Sequence, residues 1–141
     1  MHLAAQANQP VCIFFFMSQG MNLSERDKNG NTPLHWAAKH NSQISLIYLL
    51  AWLTKEEISI QNNQGKTPLH IAVISSEDID SGRTLRFLVQ KGAKTKAKDS
   101  KNRTALDTVE YIQSERLKNE LKNSLKNDNI CQKIGLKSST R

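Results

Sequence analysis

Thr32-Pro-Leu-His-Trp-Ala-Ala38 and Thr67-Pro-Leu-His-Ile-Ala-Val73 are two copies of one heptapeptide. Thr104-Ala-Leu-Asp-Thr-Val-Glu110 is a third copy that has lost the proline and the histidine. The opening Met1-His-Leu-Ala-Ala5 matches the back half of the same motif, with Met1 at its leucine position. The four leucine positions, Met1, Leu34, Leu69 and Leu106, are 33, 35 and 37 residues apart. A repeat of this length cannot bury its own apolar face and does so by stacking on its neighbours.

The flanks of the motif repeat as well. Asp27-Lys-Asn-Gly30, Asn62-Asn-Gln-Gly65 and Asp99-Ser-Lys-Asn102 precede the three threonines. Each reads as a hairpin tip whose Gly30, Gly65 or Asn102 takes a positive φ. Thr32 and Thr67 are in place to cap a helix, with Pro33 and Pro68 in its first turn, where a missing N–H costs nothing. At 100° per residue Leu34, Ala37, Ala38 and Asn41 share one face, and the small alanines let a second helix approach closely. Tyr48-Leu49-Leu50 and Phe87-Leu88-Val89 supply that second helix, and Gly20 and Gly92 end two of them. These residues resemble the ankyrin-repeat signature. The resemblance implies an all-α repeat solenoid of helix-turn-helix pairs joined by hairpin loops. It also implies that His35 and His70 are structural groups tying neighbouring hairpin loops together.

On this reading residues 1–26 are a partial first repeat, 27–61 and 62–98 are full repeats, and 99–126 are a degenerate capping repeat with its helix. Residues 127–141 are expected to be a basic, disordered tail. Lys55-Glu56-Glu57 is an insertion in repeat two, and Ser75–Arg83 lengthens repeat three between its helices. Ile112, Leu117, Leu121 and Leu125 space an apolar stripe through Tyr111–Lys126, suiting a C-terminal cap with a polar outer face. Repeat one lacks its hairpin and its Thr-Pro. Met1 is either a genuine start with a frayed helix or the edge of a fragment; a fragment is the expectation.

Composition removes several classes of function. The 141 residues are 38% apolar and 23% charged, with a mean hydropathy of −0.55. The longest apolar runs, Val11–Met17 and Leu46–Leu53, are far short of the ~20 residues a membrane helix needs. Val11–Met17 also lacks the basic flank and cleavage pattern of a secretory signal. Cys12 and Cys131 form no CxxC pair and are expected to be free thiols in a reducing, cytoplasmic setting. No phosphate loop, metal-ligand set or nucleophile motif is present, so no catalysis, cofactor or metal is expected. The formal charge is +7, all of it in the last third: residues 1–90 balance seven basic against seven acidic side chains.

A binding surface is the remaining expectation. Relative to Leu34, Trp36 lies at about 200° and Lys39 at about 140° on the helical wheel, opposite the core face. The equivalent positions make a stripe of Leu3, Trp36, Ile71 and Thr108, beside Gln6, Lys39, Ile74 and Tyr111. Of these, Leu3, Trp36, Lys39, Ile71, Ile74 and Tyr111 are the partner-binding candidates, since apolar side chains on a face turned to solvent mark an interface. At the hairpin tips Asn29, Asn31, Gln64 and Lys66 are candidate polar contacts. Trp52 is expected to pack on the convex side or between repeats.

A narrower resemblance runs over residues 1–125. HLAAQANQP (2–10), DKNGNTPLHWAA (27–38), YLLAWL (48–53), TPLHIAVISSEDIDSGR (67–83), LVQKGAKTKAKDSKNRTALD (88–107) and LKNELKNSL (117–125) are similar to the ankyrin region of DHHC-type protein palmitoyltransferases. That resemblance implies a substrate-recruiting arm on the cytosolic face of an endomembrane, with a proline-containing substrate motif against Trp36. The zinc-bound catalytic domain and membrane spans of such an enzyme are not in this sequence. The alternative is a stand-alone scaffold whose basic segment, Lys91–Arg141, binds nucleic acid or an anionic membrane surface. With a single aromatic, Tyr111, in that segment and no RNA motif, nucleic acid is the less favoured partner.

Overall fold

The computed structural model describes residues 1–133, with side chains described through Lys126. The described residues form an all-helical chain. Its helices are α1 (His2–Gln6), α2 (Pro10–Ser18), α3 (Pro33–Lys39), α4 (Gln43–Trp52), α5 (Lys55–Ile58), α6 (Pro68–Ile79), α7 (Arg83–Gln90), α8 (Ala105–Val109) and α9 (Glu115–Lys133). Helices α1, α3, α6 and α8 stack in order as an inner layer, each against the next. Helices α2, α4, α7 and α9 stack as an outer layer, and each inner helix packs on the outer helix of its own repeat. The core is the seam between the layers. The inner helices contribute Ala5, Leu34, Ala37, Leu69, Ala72 and Ala105, and the outer ones Ile13, Leu46, Leu49, Leu85, Leu88, Leu117 and Leu121, all buried. Alanine on one side and leucine on the other brings the layers close while still removing a large aliphatic area, about 1.5–3 kcal/mol for each buried leucine.

The motif residues explain the short inner helices. Thr32, Thr67 and Thr104 sit at the N-caps of α3, α6 and α8. The side chain three residues on bonds back to the threonine N–H: His35 Nδ1 at 3.1 Å, His70 Nδ1 at 3.3 Å, and Asp107 Oδ2 at 2.8 Å. Helices this short are marginal alone, and reciprocal caps satisfy donors that the first turn leaves unpaired. Each hairpin is closed by the same four bonds. In the first, Asp27 N–H donates to Asn31 O and Gly30 N–H to Asp27 O, while Asp27 Oδ1 accepts from the N–H groups of Asn29 and Asn31. Asn62 and Asp99 do the same for the second and third. Gly30, Gly65 and Asn102 have φ of 75°, 69° and 60°, as their place in the turn requires.

Two features extend the sequence reading. The Lys55-Glu56-Glu57 insertion is a helix of its own, α5, capped by Thr54 with Glu57. Helix α9 begins at Glu115, so Ile112 is buried in the turn before it rather than in the helix. At its other end α9 continues to Lys133, past the boundary read at residue 126. The remainder of the expected tail, 134–141, and the side chain of Cys131 lie outside the described residues. No helix among the described residues is long and apolar enough to cross a membrane.

Candidate partner-binding surface

Three joints hold the four repeats together, and each joint is tied at both ends. At the hairpin end the tie is a histidine. His2 bonds to Asn31 O at 2.9 Å, His35 to Lys66 O at 3.0 Å and His70 to Arg103 O at 3.1 Å, each through Nε2. The three acceptors are equivalent residues, each just before a motif threonine. For His35, Nδ1 faces the obligate N–H donor of Thr32, so Nε2 carries the proton and donates. Burial lowers the His35 pKa to about 4, outweighing the Lys66 carbonyl that favours the charged form. Burial also lowers the pKa of His70, against the Arg103 carbonyl. Both are neutral at pH 7, and each ties its hairpin to the next. His2 holds the same position in the incomplete first repeat, a role the sequence reading missed although the motif alignment placed it there.

At the opposite end the tie is a residue with left-handed backbone. Asn8, Asn41 and Asp80 have φ of 56°, 51° and 44°. Asn8 Oδ1 accepts from Ser45 N–H at 2.9 Å, Asn41 Oδ1 from the Thr84 hydroxyl at 2.6 Å, and Asp80 Oδ1 from the Ser114 hydroxyl at 3.4 Å. Short polar side chains tolerate this backbone and reach the next repeat.

This frame sets the candidate stripe on four stacked inner helices. Leu3 is 74% exposed on α1, Ile74 is 44% exposed on α6, and Tyr111 is 67% exposed just after α8. Lys39 is exposed on α3, whereas Trp36 and Ile71 are half-buried against the core. Trp36 is therefore less available than its wheel position implied. Its indole N–H donates to Asp27 Oδ2 at 2.9 Å, His40 stacks on the ring at 5.9 Å, His2 meets it edge-on, and Lys39 Nζ lies 5.9 Å from its centre. Burial opposes ionisation of Asp27, but bonds from the Asn31 N–H, the indole and the Asn29 N–H outweigh it and hold its pKa below the usual range. The Arg103 guanidinium lies 5.8 Å from the Tyr111 ring centre and also bonds Asp99 at 2.9 Å. Gln6 and Thr108 are half-buried, and the Thr108 hydroxyl turns back to Thr104 O.

The four tip candidates divide. Asn29 and Gln64 have exposed side chains, and their carbonyls accept from Asn63 N–H and Ser100 N–H of the following hairpins at 3.0 Å each. Asn31 is internal instead: its Oδ1 accepts from Asn62 Nδ2 at 2.9 Å and its carbonyl bonds His2. Lys66 is half-buried, and its carbonyl is the His35 acceptor. Trp52 is 60% exposed on the outer layer, so it does not pack as expected. The basic segment spends part of its charge internally, with Lys118 3.4 Å and Lys122 2.7 Å from Glu110.

Residues 1–99 match the family model described as ankyrin repeats in three copies. The chain belongs to the ankyrin-repeat family. It is 38% identical over 84 residues to the mouse B-cell lymphoma 3 protein homolog, covering 57% of this chain and 17% of that protein. It is 38% identical over 79 residues to human NF-kappa-B inhibitor epsilon, covering 56% of this chain and 15% of that protein. An ankyrin repeat protein of fowlpox virus is 30% identical over 107 residues, 74% of this chain and 31% of its own length. The chain thus spans less than a third of the length of these relatives. Ankyrin repeats are protein–protein interaction modules and are generally non-catalytic.

Proposed function

We propose that this ankyrin array binds a protein partner along the inner-helix stripe, with Leu3, Ile74 and Tyr111 as apolar contacts, Trp36 and Ile71 as the floor, and Lys39 beside them. The observation that carries this is the exposure of Leu3 in one row of the stripe and of Ile74 and Tyr111, at equivalent positions, in the row beside it. Asn29 and Gln64 extend the surface onto the hairpin tips. The narrower form makes the chain the substrate-recruiting arm of a protein S-palmitoyltransferase, on the cytosolic side of an endomembrane. Its support is the set of strings shared with that family and the proline-accepting role which the resemblance gives Trp36. The relatives described above carry other names, so this form rests on the sequence resemblance alone.

Calorimetric titration of the chain with proline-containing peptides from palmitoylation substrates tests both levels. Ile74→Glu should leave melting at the wild-type value, and Tyr111→Ala should shift it only slightly because it gives up the Arg103 contact, while each lowers affinity at least about tenfold. Saturable binding that both variants leave unchanged refutes the stripe. Absence of binding to every such peptide refutes the palmitoyltransferase form.

A further inference from the structure

The third-repeat insertion, Ser75–Arg83, is not used by the stripe. It makes α6 a 12-residue helix where α3 has seven residues, and it delivers Asp80 and Arg83 to a cleft of about 380 Å³. Asn41 of repeat two, Arg86 of α7, and Arg116 and Glu120 of α9 are among the other residues of its walls. The cleft is fixed by packing. Gly82 is buried, and a Cβ there would meet Leu121 Cδ2 at 2.8 Å and Glu120 Oε1 at 3.2 Å, so α9 sits hard against the insertion.

The cleft holds three guanidinium groups and two carboxylates. Glu120 takes Arg86 at 3.4 Å, and Asp80 takes the Ser114 hydroxyl at 3.4 Å. Arg83 and Arg116 have no ion pair among the described residues. Helix α7 starts here on Gly82, which offers no side-chain cap, so the positive end of its dipole adds to the cationic field. The two preceding outer helices have Val11 with Phe14 and Ile44 with Ile47 where α7 has Arg83 with Arg86. The outer face changes from apolar to cationic at the one repeat that carries the insertion.

We infer that this cleft is an oxyanion site, with Arg83 and Arg116 holding a phosphate monoester on a partner peptide. Guanidinium forks match the oxygens of phosphate in a way that lysine does not. The site lies apart from the stripe and stands whether or not the stripe binds a protein.

The test is a titration of the full chain, at low and physiological salt, with a phosphoserine peptide, its serine counterpart and inorganic phosphate. Chemical shifts of the Arg83 and Arg116 Nε–H groups report the site. The phosphopeptide is expected to bind saturably and to move both signals, and the serine peptide to do neither. Arg83→Gln with Arg116→Gln should weaken binding at least about tenfold. The paired Arg→Lys changes keep the charge and should weaken it several-fold, which covers failure of the glutamine variant to fold. Lys94→Gln, an exposed cation outside the cleft, should change nothing. Equal binding of inorganic phosphate supports the oxyanion site and makes the free ion its ligand. No saturable binding at low salt overturns the proposal, as does equal weakening by Lys94→Gln, which marks diffuse charge attraction.

Discussion

Acid should loosen the joint between repeats two and three before it reaches any carboxylate. His35 is buried, accepts at Nδ1 and donates from Nε2 to Lys66 O. A second proton would go on Nδ1, facing the Thr32 N–H, and would put a charge in the core. The pKa falls from 6.5 to about 4. In the window between these values the unfolded chain binds a proton at this residue and the folded chain does not, so lowering the pH favours unfolding. The stability from His35 is complete above about pH 6.5 and is lost down to about pH 4. Between pH 7.5 and 4.5 the loss is about 2–3 kcal/mol at 1.36 kcal/mol per unit. His70 adds a loss of the same sign. Asp99 opens a separate window at lower pH. Burial raises its pKa, but the Arg103 and Lys101 N–H groups and the Arg103 guanidinium bring it down to about 2, so its contribution is lost only as pH falls from near 4 towards 2. Urea unfolding at half-unit steps of pH measures the total, and the wild type minus His35→Gln difference isolates this residue. The variant should be less stable at pH 7.5, and the gap should narrow by about 2 kcal/mol by pH 4.5. A constant gap, or a His35 ring proton titrating near 6.5 in the folded protein, refutes the reasoning.

Three further predictions concern stability, each read from chemical denaturation. Gly65→Ala should cost about 2–3 kcal/mol, because its φ is 69° and the new Cβ would meet the Ser100 backbone nitrogen at 2.6 Å. Gly20→Ala, with φ of 78° and open space around it, should cost only about 1 kcal/mol; equal losses would show that hairpin contact is unimportant. Asn41→Gly keeps the left-handed turn but deprives the Thr84 hydroxyl of its acceptor, so a loss of about 1 kcal/mol is expected. No change there would mean the tie adds nothing. Leu121→Ala opens the seam between α9 and α7 and should cost about 2–5 kcal/mol, with m unchanged if the array unfolds as one unit.

The inner helices and hairpins were legible because their chemistry is local. A threonine, a proline and a side chain three residues on fix a cap within one turn, and a glycine at a set offset fixes the hairpin. The joints at the opposite end were not read, since Asn8 and Asn41 share the period but Asp80 is displaced by the insertion and differs in type. The wheel put Trp36 opposite the core face, whereas the ring is half-buried, and angular position alone does not reveal that Asp27, nine residues earlier, would take its indole N–H. Tip residues were hard to sort for a related reason. Asn29 and Asn31 look alike in the string, and only the neighbouring hairpin decides that one side chain stays outside while the other bonds Asn62. Helix α9 runs beyond the last apolar position of its stripe, where composition gave no reason to continue it.

The double ties have a mechanical consequence. A stack joined at one edge behaves like a fan, opening and closing about that edge and changing the radius of its concave side. Histidine ties along one edge and left-handed Asn or Asp ties along the other oppose that motion at all three joints. If the stripe binds a partner as proposed, the spacing between Leu3, Trp36, Ile74 and Tyr111 is set beforehand, and a partner that fits pays little to organise it. On that proposal the array would act as a ruler, selecting a partner by the spacing of its contact points as well as by side-chain chemistry.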